Sequence, residues 1–457
     1  MILLKDMNLK LKKGFDIHLA GKAKNELAGE ITSEVYSFKP TDFKGITRPK
    51  LLVNEGDTVK VGTPIFRDKR NESVQFCAPV SGEIVEIKRG AKRFPLEVRI
   101  LADKSLQYET FPTYAAAEIA TLDAQKLLEN LLKSGIWPKI VERPFGLVPN
   151  PAHLPKAVFI SAFDTHPLAP DYEFVFQGQE AYLQAGIDAL LALTKAPIHL
   201  SVPAGKLSLF ASLRNVTLHQ VKGPHPAGNV GVQIHHIAPI NRGERIWTIN
   251  PYGLQQMGYF LLEGRYEPVK TIALVGSEVS QPAYYRVREG IPVAKIVQGK
   301  LRQDHVRLVS GNVLTGTRID LQSGILGYFD NMLTVLPEGD YHEFLGWILP
   351  SAKKLSFHRA IGLLSFLSPK KERVLDTNMH GEERAFVQTG VFEQVVPMDI
   401  LPMHLLKAIL SRDFEEMEAL GIYEVLEEDL ALCEFIDVSK TPVQAILREG
   451  LEALLEA

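Results

Sequence analysis

A chain of 457 residues, 46% hydrophobic and 23% charged, has an ordinary globular composition and is long enough for about three domains. Its formal net charge is -3 with both signs mixed, which excludes the basic field that a nucleic-acid partner or an anionic membrane surface requires. Two distant cysteines, Cys77 and Cys433, exclude a disulfide framework and fit a reducing cytoplasm.

The chain begins MILLKDMNLKLKKGF, where apolar residues alternate with lysine and never form the apolar core of a signal peptide. No window approaches the ~18 consecutive apolar residues of a membrane span. The most apolar stretches, Leu254 to Leu262 and Phe344 to Pro350, suit buried strands or helices. Membrane contact is therefore expected only through a partner.

Residues 1–105 are strand-like, with short runs (Leu9/Leu11, Val59/Val61, Ile84/Val85/Ile87, Val98/Ile100) broken by turn residues. VNEGDTVKVGTPIF followed by APVSGEIVEI resembles the two halves of a lipoyl/biotinyl-type barrel-sandwich domain. Lys69, in FRDKRNES, stands where a swinging-arm lysine would be sought, but without a Met-Lys-Met context it reads as a solvated hairpin lysine. A carrier role would show as a mass adduct.

Residues 106–255 alternate helices and apolar strands, the order of a Rossmann-like α/β layer. DAQKLLENLLKSG sets Leu127, Leu128, Leu131 and Leu132 at helical spacing and stops on Gly135. KAVFISAF and APIHLSV read as buried strands around the helix QEAYLQAGIDALLALTK. His235 and His236 read as strand neighbours facing opposite sides, which is not metal-ligand spacing.

Residues 256–340 return to strands: VKTIALVGSEVS, GIPVAKIVQG, RLVSG, GILGYF and NMLTVLPEG. From Gly276 onward this succession resembles the SLBB β-grasp module. A connecting segment, 341–394, leads to a helical region, 395–457, with Leu, Ile and Met at i, i+3, i+4 spacing and Thr441-Pro442 opening its last helix. The expected fold class is thus mixed α/β and multidomain.

This module order resembles, along nearly the whole chain, one superfamily. It contains the flavin subunit of respiratory complex I, the C subunit of the Rnf complex and the A subunit of the Na+-translocating NADH:quinone oxidoreductase. The flavin-binding branches have a glycine-dense loop after the helix that ends here at Gly135. In this chain the loop reads Trp137-Pro138-Lys139-Ile140-Val141-Glu142-Arg143-Pro144-Phe145. Two prolines remove N–H donors, β-branched residues resist strained backbone, and Glu142 repels phosphate.

Other loop positions carry the same trace. Asp164 and Pro167 keep the acid and the proline of a nucleotide-contacting turn, and also fit a plain strand-to-helix turn with an Asx cap. Gly223 to Asn229, including His225 and Gly228, resembles a flavin-contacting loop in its sodium-pump form. In the helical region Cys433 is the lone thiol of a would-be cluster motif, with Asp437 in the place of the following cysteine. A cluster needs four thiolates, so none is expected.

The hallmarks Lys12 to Ile17, Glu55-Gly56-Asp57, Ala78 to Gly82, Leu336 to Gly339, Pro397 to Pro402 and Leu426 to Glu434 point to the sodium-pump branch. That resemblance implies a complex using NADH, flavins, iron–sulfur and quinone to export Na+. In it this chain carries no cofactor or metal and no confident catalytic residue. It implies docking on the membrane-embedded B subunit, with the other members of a six-subunit complex, at the cytoplasmic face of the bacterial inner membrane. Contact with ubiquinone stays open, as does the alternative of a flavin-dependent subunit of the Rnf C type.

Overall fold

Ala157–Ser161 and Ile198–Pro203 are buried along nearly their whole length, as strands inside a parallel sheet must be. The computed structural model of the protein describes residues 7–344, 354–358, 370–387 and 390–456. Its central sheet consists of Asn8–Lys10 (β1), Ile140–Arg143 (β2), Ala157–Ser161 (β3), Ile198–Pro203 (β4), Thr217–Lys222 (β5) and Ile246–Ile249 (β6). The order is β1-β5-β4-β3-β6-β2, and only the edge strand β2 is antiparallel. From β3 the chain moves outward to β4 and β5, then returns on the other side of β3 with β6. That reversal opens a crevice at the carboxyl ends of β3 and β6, where open α/β sheets hold ligands.

The helices of this part are Ala124–Lys133 (α1), Glu180–Thr194 (α2), Val230–Ile237 (α3) and Pro251–Glu263 (α4); α2 packs on β4 and α3 on β3, while α1 packs on α2 and on the strand Asn71–Cys77. The Asp123 side chain caps α1 by accepting from Lys126 N–H, and Leu127, Leu131 and Leu132 are buried. α4 combines an Asn250 cap and Pro251 in its first turn with Gly264 at a φ of 66° just past its end. Helices α2 and α4 meet almost backbone to backbone. A methyl on Gly258 would lie 1.8 Å from Tyr182 O, and one on Gly186 2.4 Å from Leu254 O.

The barrel-sandwich part holds one sheet of Val35–Phe38, Pro95–Ala102, Gly82–Arg89 and Thr58–Val59 and another of Pro49–Leu51, Pro64–Asp68 and Asn71–Cys77. Phe66 and Phe76 stack at 4.5 Å between centroids in its core. Lys69 sits in the exposed turn between two of these strands. The β-grasp sheet runs Thr317–Ile319, Val306–Ser310, Met332–Pro337, Val269–Val275, Ala283–Arg288 and Leu27–Ile31. The C-terminal helices are Pro402–Ser411 (α5), Phe414–Ala419 (α6), Glu427–Ile436 (α7) and Val443–Glu456 (α8).

Several expectations change. GIPVAKIVQG contains a short helix, Val293–Val297, because Val293, Ile296 and Val297 are buried at helical rather than alternating spacing. His235 and His236 lie on helix α3, not on a strand. GILGYF forms turns with an isolated bridge at Ile325 instead of a strand. Helix α4 runs across the expected boundary at 255/256, and Leu254 to Leu262 belongs to it. Residues 7–31 are shared out, β1 joining the α/β sheet and Leu27–Ile31 the β-grasp sheet. Most of Phe344 to Pro350 and much of the connecting segment lie outside the described residues.

Candidate functional site

A cavity of about 390 Å³ opens at the crevice between the ends of β3 and β6. Ser161, Phe163, Asp164 and His166 come from the end of β3, and Thr248, Ile249 and Asn250 from the end of β6. Phe43 from the barrel, Phe329 and Asn331 from the β-grasp part, and Leu426 and Glu428 from the C-terminal helices add to the wall. The site therefore exists only where four regions of the chain meet.

The turn after β3 builds a titratable cluster. Asp164 Oδ1 accepts from His166 N–H at 2.8 Å and lies 2.6 Å from His166 Nδ1. Burial opposes the His166 charge, but the adjacent Asp164 carboxylate outweighs it and raises the pKa. Burial likewise raises Asp164, and His166 brings its pKa below the ordinary value. With Nδ1 engaged by Asp164, His166 Nε2 is buried without a partner. Leu168, two residues on, takes a left-handed φ of 61°, a strained conformation for a branched residue.

His225 joins this cluster from the loop Gly223 to Asn229. Its ring lies 4.6 Å from that of His166, and its Nδ1 is 3.1 Å from Thr165 Oγ1. Burial, then the charge of His166, pushes its pKa down to about 3, so it is neutral. Gly228 N–H donates to Thr165 Oγ1 at 2.9 Å, and a methyl on Gly228 would lie 2.8 Å from Thr165 N, so this loop closes tightly on the turn.

Across the cavity stand the side chains of β2. Arg143 donates to Asp429 Oδ2 at 2.8 Å and to Glu428 Oε1 at 2.5 Å, both on α7. Lys139, just before β2, pairs with the buried Glu289 and lies 3.8 Å from the centroid of the Tyr328 ring. Burial lowers the Lys139 pKa to about 7 despite Glu289. Burial raises the Asp42 carboxyl to about 6.

Of the residues singled out by sequence, Asp164, His225 and Gly228 come together here, and Asp164 and Gly228 line the cavity. Pro167 is buried behind the turn. Gly135 and Trp137 are elsewhere. Gly135, at a φ of 78°, ends α1 against Cys77, and a methyl on it would lie 3.0 Å from Cys77 Cβ. Trp137 is a core residue whose Nε1 donates to Pro149 O at 2.9 Å. Sequence reasoning missed His166, Lys139, Arg143 and Asp429. Charged side chains interspersed with apolar and β-branched residues, as at Lys139 and Arg143, are the available signal.

The segment 137–145 does not fit a flavin nucleotide. It is a helical turn running into strand β2, and the N–H groups of Lys139 and Glu142 are spent on Ile136 O and Leu147 O. Nor do the residues fit an iron–sulfur cluster, since the chain has two cysteines, both buried and on separate elements. Among the described residues no group of three or more His, Cys, Asp or Glu side chains is placed to hold a metal ion, and no helix is long and apolar enough to cross a membrane.

Comparison with known proteins places this chain in a family. Residues 9–103 match the model of the NqrA N-terminal barrel-sandwich hybrid domain, 122–266 that of the NqrA second alpha/beta domain, and 271–320 that of the NQRA C-terminal domain. The chain is 35% identical, over 97% of its own length and 98% of the relative's, to the A subunit of the Na(+)-translocating NADH-quinone reductase of Yersinia pestis. The chain belongs to the NqrA family, the A subunits of Na(+)-translocating NADH-quinone reductases. Identity to the A subunits of Neisseria meningitidis and Alcanivorax borkumensis is 36% and 35%, each over 98% of this chain and 99% of the relative. The three family models follow the barrel-sandwich, α/β and β-grasp parts in chain order, so NqrA architecture accounts for the fold in which the cavity sits.

Proposed function

We propose that this chain works as a peripheral, cofactor-free member of a Na+-translocating NADH:quinone oxidoreductase. That complex oxidises NADH, reduces ubiquinone or menaquinone and exports Na+. The chain docks on the membrane-embedded B subunit of the six-subunit complex, from the cytoplasmic face of the bacterial inner membrane, and its own part is assembly. The observation that carries the cofactor-free reading is strand β2, whose flanking prolines and internally spent N–H groups stand where a phosphate cradle would be needed. Family membership carries the assignment to the complex.

Quinone contact through the cavity belongs to the same reading. Phe43, Phe163 and Phe329 offer an aromatic wall, and His166 Nε2 offers a donor to a ring carbonyl. Purification of the tagged chain from native membranes tests the whole. It is expected to bring down its membrane partner and to release no flavin of its own on acid extraction. A yellow isolated chain, or one that leaves the membrane partner behind, would sink the reading.

A further inference from the structure

Lys139, Lys270 and Glu289 form a buried group beside the cavity. Lys139 stands just before β2, Lys270 on the β-grasp strand Val269–Val275, and Glu289 just after the strand Ala283–Arg288. The three are 6%, 6% and 5% exposed. Two lysines thus share one carboxylate, with Lys270 Nζ 3.7 Å from Glu289 Oε1 and Lys139 Nζ in close contact with the same oxygen.

The two amines are not held alike. Lys270 Nζ also donates to Tyr328 O and, at 3.4 Å, to Asp330 O. Lys139 Nζ has a single acceptor among the described residues, Glu289 Oε1, and rests otherwise on the face of the Tyr328 ring. That acceptor is itself divided, since Gln256 Nε2 donates to Glu289 Oε1 and Tyr266 O–H to Glu289 Oε2, each at 3.3 Å. An ammonium carries three N–H donors, so a buried site with one shared acceptor suits the neutral amine better. Burial disfavours the Lys139 ammonium first, Glu289 supports it, and the charge of Lys270 opposes it again.

Lys139 also belongs to the cavity wall, together with Phe43 and Asp330. Tyr328, on whose ring the amine rests, packs against Phe43 at 4.6 Å between centroids. A desolvated lysine beside a second cation is an environment in which an amine becomes nucleophilic.

We propose that Lys139 is a reactive amine in the wall of the cavity and forms an imine with small aromatic aldehydes. The aromatic preference follows from Phe43, Phe163 and Phe329 around the same cavity. The Lys139 nitrogen adds to the carbonyl carbon, and a C=N bond replaces the C=O bond. Both hydrogens of the neutral amine leave with the carbonyl oxygen as one water, and no electrons are lost or gained. Glu289, in contact with the amine, carries the proton between nitrogen and oxygen. The proposal goes beyond quinone contact and does not depend on it.

Reductive trapping tests it on the full chain. Benzaldehyde with cyanoborohydride turns an imine into a stable benzyl-lysine, which peptide mass mapping locates. The exposed lysines of the same chain, Lys69 among them, serve as the reference. At pH 7 Lys139 is expected to be trapped at least about tenfold faster than these, because ordinary surface lysines are almost wholly protonated there. That advantage should fall as pH rises above about 7. K270M removes the neighbouring cation and should shrink the advantage at pH 7 by at least about threefold.

A wild-type chain in which Lys139 stays unlabelled, or is labelled no faster than the exposed lysines, overturns the proposal. So does an unchanged Lys139 rate in a K270M chain with native circular dichroism. If K270M does not fold, K270Q is judged by the same criterion. Trapping reads Lys139 alone, whereas flavin content and co-purification read the proposed function, so the two can fail separately.

Discussion

Arg143 and Asp429 are 286 residues apart in sequence, yet their side chains meet at 2.8 Å with 1% and 0% exposure. This pair ties the last helices of the chain to the edge strand of the α/β sheet, at the wall of the cavity. A buried ion pair is weak evidence for stability as such, but breaking one side leaves an uncompensated charge.

R143M or D429L alone is therefore expected to cost about 3–5 kcal/mol, while R143M/D429L recovers most of that loss. Urea unfolding of the three variants measures the coupling. Simple additivity would show that the two residues act independently. Glu428, whose side chain is 40% exposed, is the lesser partner, and E428Q is expected to cost less than about 1 kcal/mol.

The helix crossing between α2 and α4 gives a prediction decided by sign. In an open helix Gly→Ala gains up to about 1 kcal/mol from propensity. At Gly258 the added methyl would sit 1.8 Å from Tyr182 O, a backbone atom, so G258A is expected to destabilise by about 1–3 kcal/mol or more. A rise in the denaturation midpoint would contradict the close crossing.

The Asp164–His166 pair predicts a bell-shaped pH dependence. His166 has a raised folded pKa, so its contribution is complete below its ordinary 6.5 and fades as pH rises through the folded value. Asp164 has a lowered folded pKa, so its contribution is complete above 3.8 and fades as pH falls through the folded value. H166Q should flatten both limbs in a series of Tm measurements against pH. An unchanged profile would mean that the pair does not carry the dependence.

Both thiols should be silent in the native protein. Burial pushes the pKa of Cys77 and Cys433 upward, and each is essentially without exposure. A thiol reagent is expected to titrate neither in buffer and both, of the two in the chain, in guanidinium. Fast native labelling of either would place it at the surface.

Much of the fold was legible because its signals are local. The Leu spacing from Leu127 to Leu132 lies between an Asp cap and a left-handed Gly, and a few turns of helix carry all of that information. The misread segments have weaker local signals. Ile291-Pro292-Val293 looks extended because of its branched residues, and only the burial of Val293, Ile296 and Val297 reveals a helix. His235 and His236 sit in an apolar run too short for its period to separate helix from strand.

The candidate site was half legible. Asp164 and Gly228 stand out through neighbours in sequence, a proline-ended turn and a glycine-bounded loop. Arg143 stands in a segment that resembles a lost loop, and nothing near Asp429 in sequence announces its partner. Sequence alone determined the order of modules and the scarcity of thiols, because turn residues, periodicity and composition are properties of short windows. Tertiary structure alone decided which charges meet, that β1 crosses into the α/β sheet, and that Asp429 comes to rest on the start of α3. Those contacts depend on how helices and sheets pack over hundreds of residues, and no local pattern encodes that distance.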